Sequence, residues 1–536
     1  MSERTHEVAN QPPPLAGYDA WSSDSWLREA ATRAGAHDIS PAAAALGRYV
    51  GSAEAQDHAR LANRHVPELR THDRFGHRID AVEYHPSYHA LMAEAIGCGV
   101  HSLAWKRARG GFASRAVLFY LWNQLEQGTA CPVTMTFASI PVFAHAPALE
   151  HAWRDKVLAD AYDPRPLPHE RKEGATIGMA MTEKQGGSDL RAVATRAERD
   201  GEGWRLTGHK WFCSAPMSDG FFTLARQDEG VSCFFVARSL PDGTRNAFEI
   251  QRLKEKAGNR SNASAEIEYR RTWASAVGEP GRGIATLIEM AHHTRFDIVV
   301  GIAGMMRAAL DHALHHARHR SAFGSVLVDH ALMANVLADI ALEAEAALLL
   351  ALRLAAAFDA SAGSEAERNL QRILTPVAKY WLCRRMTPVA VEAMECLGGN
   401  GYVEEAPLAR LFREAPLNGI WEGSANVICL DALRAIARSP VALDALAVEI
   451  RAGRDARAEA LLERARHRLR DADHAERDAR SIVESLALAV QMSLMKRHSN
   501  AHAAEAFCES RSNGQYAFGT LGNADTGALV RRAMRD

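Results

Sequence analysis

The chain has 536 residues, 47% of them apolar and 24% charged, and 63 Lys and Arg against 65 Asp and Glu leave a formal net charge of −2. That length calls for about three or four domains, and the charge balance excludes both a disordered chain and a globally basic one. Eight cysteines, at positions 98, 131, 213, 233, 383, 396, 429 and 508, form no C-x-x-C pair. Reduced thiols in a cytoplasmic protein fit that pattern better than a disulfide framework or a thiolate zinc site.

In chain order, the opening MSERTHEVANQPPPL mixes charges of both signs with a Pro triplet, which suits neither a signal peptide nor a membrane anchor. Residues 21–162 are Ala-rich with apolar positions recurring every three or four, as in Leu91, Met92, Ala95 and Ile96, and they predict helices. Pro164, Pro166 and Pro168 mark a linker. From 174 to 282 the dipeptides Asp200-Gly201, Asp219-Gly220 and Asp242-Gly243 separate short runs rich in aromatic and β-branched residues, predicting a small antiparallel sheet or barrel. The helical period returns with Ile302, Met306, Leu310 and Leu314 and continues to about Arg438; after Ser439-Pro440 more helices are expected. The fold class is therefore mainly α with a central antiparallel β domain, organised as segments 1–173 (helical), 174–283 (β), 284–439 (helical) and 440–536 (a further helical domain). The most apolar stretch, 341–358, carries Glu343, Glu345 and Arg353, so no membrane span is expected.

Several short segments hold residues suited to chemistry. In Met181-Thr182-Glu183-Lys184-Gln185-Gly186-Gly187-Ser188-Asp189 the paired glycines admit a ligand closely, and the Thr182 and Ser188 hydroxyls can bond a polar ring or a phosphate. A polar loop with a capping Ser is the plainer reading. Gly208-His209-Lys210-Trp211-Phe212-Cys213-Ser214 sets an aromatic beside a hydroxyl, fit to stack on a flat ring and bond its edge, or to form a core strand. The G-G-x-G run Gly398-Gly399-Asn400-Gly401 can turn N–H groups toward a pyrophosphate or stop a helix, and it lacks the G-x-G-x-x-G spacing of a dinucleotide fingerprint. Trp421-Glu422-Gly423-Ser424-Ala425-Asn426 places a carboxylate between Trp and Gly ahead of a helix, where it can serve as a general base or sit in a surface loop. Arg320-Ser321-Ala322-Phe323-Gly324 offers a guanidinium to phosphate, or ends a helix with a cationic turn and a Gly stop.

Taken together and in this order, MTEKQGGSD, GHKWF, LKEKAGNRSNAS, AMECLGGNGY and WEGSANVICLDALR resemble the acyl-CoA dehydrogenase superfamily of flavoproteins, and within it the AidB-type adaptive-response proteins. The likeness runs from about residue 10 to 536 and includes a C-terminal segment that plain acyl-CoA dehydrogenases lack. It implies FAD, held between the β domain and the helices that follow, in a homotetramer. By that resemblance Thr182 and Ser188 lie along the flavin and its attached chain, and Phe212, Cys213 and Ser214 contact the isoalloxazine. Trp421, Gly423, Ser424 and Asn426 adjoin the cofactor, while Gly398, Gly399 and Gly401, with Arg320 and Phe323, meet the pyrophosphate and adenosine, some from a neighbouring subunit. Glu422 matches the family's base, which takes the proton α to a thioester as the β-hydrogen leaves as hydride. The alternative base position of some relatives reads Thr294-Arg295 here. Lys184 replaces the usual Pro of T-E-P, and Phe212 the usual Trp; the AidB type shares both.

The AidB resemblance also implies duplex DNA as a partner of the C-terminal domain and protection of DNA from alkylation. Composition does not single out that domain: residues 440–536 hold 15 Lys and Arg against 14 Asp and Glu. Arg464, Arg466, Arg468 and Arg470, with Arg531, Arg532 and Arg535, are the clusters that favour DNA, and a solvated helix face is the plainer reading. His315 and His319 have the spacing of helical zinc ligands but no third ligand, so no metal is expected. Three functions compete: a DNA-protective flavoprotein with weak activity on a small acyl thioester, an ordinary short- or branched-chain acyl-CoA dehydrogenase of catabolism, and a structural DNA-binding protein with a vestigial flavin. The extra C-terminal segment favours the first over the second, and the intact Glu422 and flavin motifs weigh against the third.

Overall fold

A computed structural model of the chain describes residues 5–512, 514 and 516–535; the first four residues of the opening stretch and Asp536 lie outside the described residues. The chain divides into two compact units, one of residues 36–42 and 54–298, the other of residues 1–35, 43–53 and 299–536.

In the first unit a hairpin, β1 (Glu68–His72) and β2 (Arg78–Glu83), interrupts the helices expected there. It persists because Asp80, fully buried, accepts from Arg78 and Arg245 and from the Ile250 N–H, which ties the hairpin into the sheet. That sheet contains β3 (Ile177–Ala180), β4 (Arg196–Asp200), β5 (Gly203–Ser214), β6 (Gly220–Gln227), β7 (Gly230–Ala237), β8 (Phe248–Leu253) and β9 (Ser264–Val277). Its order is β3-β6-β4-β5-β9-β7, with β7 pairing back on β6 and β8 on β9, so the strands curl toward a barrel.

The sheet is mixed, which corrects the expectation of a wholly antiparallel one: β3 and β4 each meet β6 in parallel. The cause is connectivity, since β3 reaches β6 through two intervening strands and only a tight turn forces antiparallel neighbours. Asp200-Gly201 and Asp242-Gly243 lie at turns as expected, but Asp219 is buried against Lys172 and Gly220 opens β6. Leu206, Cys213, Phe221, Phe234, Phe248, Ile250, Ile267 and Tyr269 fill the interior, each large side chain contributing about 1.5–3 kcal/mol of burial.

The second unit is helical. Helices Ala331–Ala360, Glu365–Cys396 and Ala425–Arg438 pack with the C-terminal helices Pro440–Arg451, Ala456–Leu469, Ala479–His498 and Thr526–Ala533. Ion pairs bind the C-terminal part inward: Arg511 to Asp339 and Glu343, Arg532 to Glu345, Arg535 to Asp311, and Arg353 to Glu449. Among the described residues no helix is long and apolar enough to cross a membrane.

Candidate functional site

The residues following β3 are held by a buried carboxylate. Glu183, 2% exposed, accepts from Lys210 Nζ and Thr195 Oγ1 at 2.6 Å each and from the Ala194 N–H at 2.7 Å. Burial alone would raise its carboxyl, but the Lys210 ammonium and these hydrogen bonds outweigh it and bring the pKa down to about 2. Lys210, buried, also donates to the Leu224 carbonyl, and burial draws its pKa down to about 8 against the opposing pull of Glu183. Neither residue was singled out from sequence, where Glu183 and Lys210 look like ordinary loop and strand charges.

This anchor places Thr182 beside the end of β5, because the Trp211 N–H donates to the Thr182 carbonyl at 2.7 Å. The β5–β9 register shifts between Lys210 and Cys213, and the irregularity leaves Phe212 46% exposed. Ser214 lies 3.3 Å, Oγ to Oγ, from Ser264. Cys213 points the other way, fully buried in the sheet core, so its backbone alone is available on the Phe212 side. Lys254 Nζ lies 3.2 Å from the Trp211 ring centroid and 4.8 Å from that of Phe212, giving this face a cation over its aromatics. Ser188 is exposed, and the cap of the short turn after it is Asp189, whose side chain accepts from the Arg191 N–H.

In the helical unit, Arg320 follows the end of the helix Gly283–His319, whose last turn is cationic, and Phe323 lies in the turn of a small hairpin of β10 (Ser321–Ala322) and β11 (Ser325–Val326). Phe323 and Gly324 both have positive φ, 51° and 89°, as a two-residue hairpin turn requires, and Phe323 is 97% exposed. Arg320 Nη1 donates to the Asn10 carbonyl, and Asn10 bonds both backbone groups of Ser321. Gly398, at φ 59° and ψ −142°, ends the helix Glu365–Cys396 in a conformation closed to side chains, with open space around it and around Gly399. Gly401 is required differently: a Cβ there would collide with the Met394 carbonyl.

The segment Trp421–Gly423 crosses between the turn Ala415–Gly419 and the helix Ala425–Arg438. Glu422, partly buried, has φ 57°, a left-handed backbone that costs a non-glycine residue about 1–3 kcal/mol and persists only where its surroundings impose it. Trp421 Nε1 donates to Asn418 Oδ1 at 3.1 Å, and Lys379 Nζ donates to the Trp421 and Gly423 carbonyls at 2.9 and 2.5 Å. Ser424 is exposed and begins the following helix without a side-chain cap bond, and Asn426 Oδ1 accepts from Arg480 Nε. Thr294, at the alternative base position, is buried and its hydroxyl donates to the Ala291 carbonyl. His315 and His319 spend ring nitrogens on the Pro13 and His315 carbonyls, and no group of three metal-ligating side chains occurs among the described residues.

Residues 10–164 match the N-terminal domain of adaptive response protein AidB, residues 178–272 the middle domain of acyl-CoA dehydrogenases and residues 281–437 their C-terminal domain. The chain is 44% identical over 516 residues to AidB of Escherichia coli (strain K12), covering 95% of each. Its fold is similar to that of Caenorhabditis elegans ACDH-11 in complex with C11-CoA, with TM-score 0.84 and 23% identity over 99% of this chain and 94% of that one. An acyl-CoA dehydrogenase from Bacillus anthracis complexed with FAD superposes with TM-score 0.67 at 17% identity, covering 84% of this chain and 87% of that one. The chain therefore belongs to the acyl-CoA dehydrogenase family, in its AidB-type branch.

Proposed function

We propose that the protein is an FAD-containing oxidoreductase in which Glu422 acts as the base toward a small acyl-CoA thioester. The observation that carries this reading is the Trp421–Gly423 segment: its single carboxylate stands in a constrained left-handed backbone whose flanking carbonyls are both tied down. A fixed carboxylate of this kind suits abstraction of a proton α to a carbonyl.

The residues present fit a flavin. Phe212 offers an exposed ring, Thr182 and Ser214 supply hydroxyls near it, and the open backbone at Gly398 and Gly399 admits a phosphate with no Cβ in the way. When bound, FAD supplies the acceptor for the hydride from the β-carbon. The chain's share is to hold Phe212 against the ring, to donate hydrogen bonds from Thr182, Ser188 and Ser214 along it, and to keep Glu422 aimed. Cys213 would take part through its backbone; Trp421, Gly423, Ser424, Asn426, Gly401, Arg320 and Phe323 complete the proposed contacts. The exposed rings of Phe323 and Tyr402, 97% and 77% accessible, support a homotetramer in which they are covered, and sedimentation of the purified protein reads that state. Eight free cysteines suit the cytoplasm.

The finer reading, DNA protection, rests on the AidB relationship together with Arg464 and Arg470, exposed cations on or beside the helix Ala456–Leu469. Arg532 and Arg535 do not serve it, because their guanidinium groups are committed to Glu345 and Asp311. The test of the whole is optical: the purified protein should carry the bands of oxidised FAD and bleach anaerobically with butyryl-CoA or its branched homologues. A protein that neither carries nor takes up FAD would overturn the proposal.

A further inference from the structure

We propose that Lys379 is the positioning residue for Glu422, an inference that rests on the reading of Glu422 as the base. Lys379 lies within the helix Glu365–Cys396 and is 1% exposed. A buried ammonium needs acceptors for its three donors, and here two of those acceptors are the carbonyls of Trp421 and Gly423, the residues on either side of Glu422, at 2.9 and 2.5 Å. Those carbonyls belong to residues outside any helix or strand, so a charged donor is what fixes the two peptide planes.

The first bond holds the peptide plane that enters Glu422 and the second the plane one residue beyond the one that leaves it, so the Glu422 backbone is pinned on both sides and the range of its Cα–Cβ direction is narrowed. One turn further along the same helix, Cys383 Sγ donates to the Asn418 carbonyl at 3.0 Å, and Asn418 Oδ1 in turn holds the Trp421 indole. The helix thus grips the approach to Glu422 at one point and both its flanks at another. Lys379 and Cys383 also line a small cleft with Tyr380, Gly419, Ala425 and Ile428, so the clamp sits beside a gap in the packing.

The clamp makes a prediction that a merely structural lysine does not. In the full-length FAD-loaded protein, Lys379→Met keeps the aliphatic stem and removes the donors. Amide exchange in the peptide spanning 418–427 should quicken by about tenfold or more while the β5 peptide is unchanged. The kcat for reduction by butyryl-CoA should fall by roughly 10- to 100-fold with KM held within about twofold, as loss of orientation implies. Lys379→Arg, which restores donors to both carbonyls, should recover most of the loss. Unaltered exchange at 418–427 in Lys379→Met would overturn the clamp, as would a Lys379→Arg protein as impaired as Lys379→Met with exchange raised throughout 299–536. If Lys379→Met does not fold, Lys379→Gln, which keeps one donor, takes its place; failure of both to fold also overturns a positioning role. Glu422→Gln separates the two ideas: wild-type reduction in that variant removes Glu422 as base, while the exchange measurement still decides whether Lys379 holds the segment.

Discussion

Arg511 Nη2 lies 2.5 Å from Asp339 Oδ1 and 2.8 Å from Glu343 Oε1, with all three side chains 1% exposed. The two ion pairs join the C-terminal part of the chain to the helix Ala331–Ala360, and Gly519 adds its N–H to the second Asp339 oxygen. Removing one member of a buried pair leaves its partner's charge uncompensated, so Arg511→Met, which strands Asp339 while Glu343 keeps Arg385, should cost about 3–5 kcal/mol. Denaturant unfolding of the full chain checks this, and a cost below about 1 kcal/mol contradicts it. By the same reasoning deletion of 440–536 removes the ion-pair partners of Asp339 and Glu345 at once, while Glu343 keeps Arg385 and Asp311 keeps Arg307. Such a truncation should lose the helical unit and its flavin together, so it is no clean way to separate DNA retention from cofactor binding.

Glu183 gives a pH signature. Its carboxyl falls from an ordinary 4.5 to about 2, so its charged form is favoured by folding. A depressed carboxyl stabilises the fold fully above pH 4.5 and progressively less as pH falls from 4.5 toward about 2. Wild type should therefore exceed Glu183→Gln in melting temperature at neutral pH and lose that advantage across the same acid window. A difference independent of pH would show that the Lys210 pairing is not its source.

Much of this was legible in sequence, and the gaps have physical causes. Long windows with apolar residues every three or four positions identified the helices, and Asp-Gly turns among β-branched runs identified the sheet. The β1–β2 hairpin was missed because its strands are short and half exposed, with patterns as weak as ELRTH, and its anchor is one buried acid, Asp80. The β10–β11 hairpin has two residues per strand, too few for any period. Lys379 was missed for another reason: a lysine inside a helix reads as a solvated face unless the segment crossing that face is known. Arg532 and Arg535 read as a basic terminus, while their acidic partners lie 187 and 224 residues earlier in the chain.

The proposed DNA retention should run through Arg464 and Arg470 and not through Arg532 or Arg535, whose guanidinium groups are held by Glu345 and Asp311. Arg464→Ala with Arg470→Ala should weaken duplex binding across sequences and reduce the dependence of log K on log salt by about two. Filter binding over a salt series reads both quantities. Unchanged affinity and slope would remove this helix face from the interaction.

The most direct measurement is anaerobic flavin bleaching by butyryl-CoA in wild type and in Glu422→Gln, each carrying its FAD. Loss of a general base predicts that the variant keeps its oxidised spectrum on mixing, with the reduction rate lower by at least about 10²-fold. A Glu422→Gln protein that bleaches at the wild-type rate would contradict the assignment of proton abstraction to this residue.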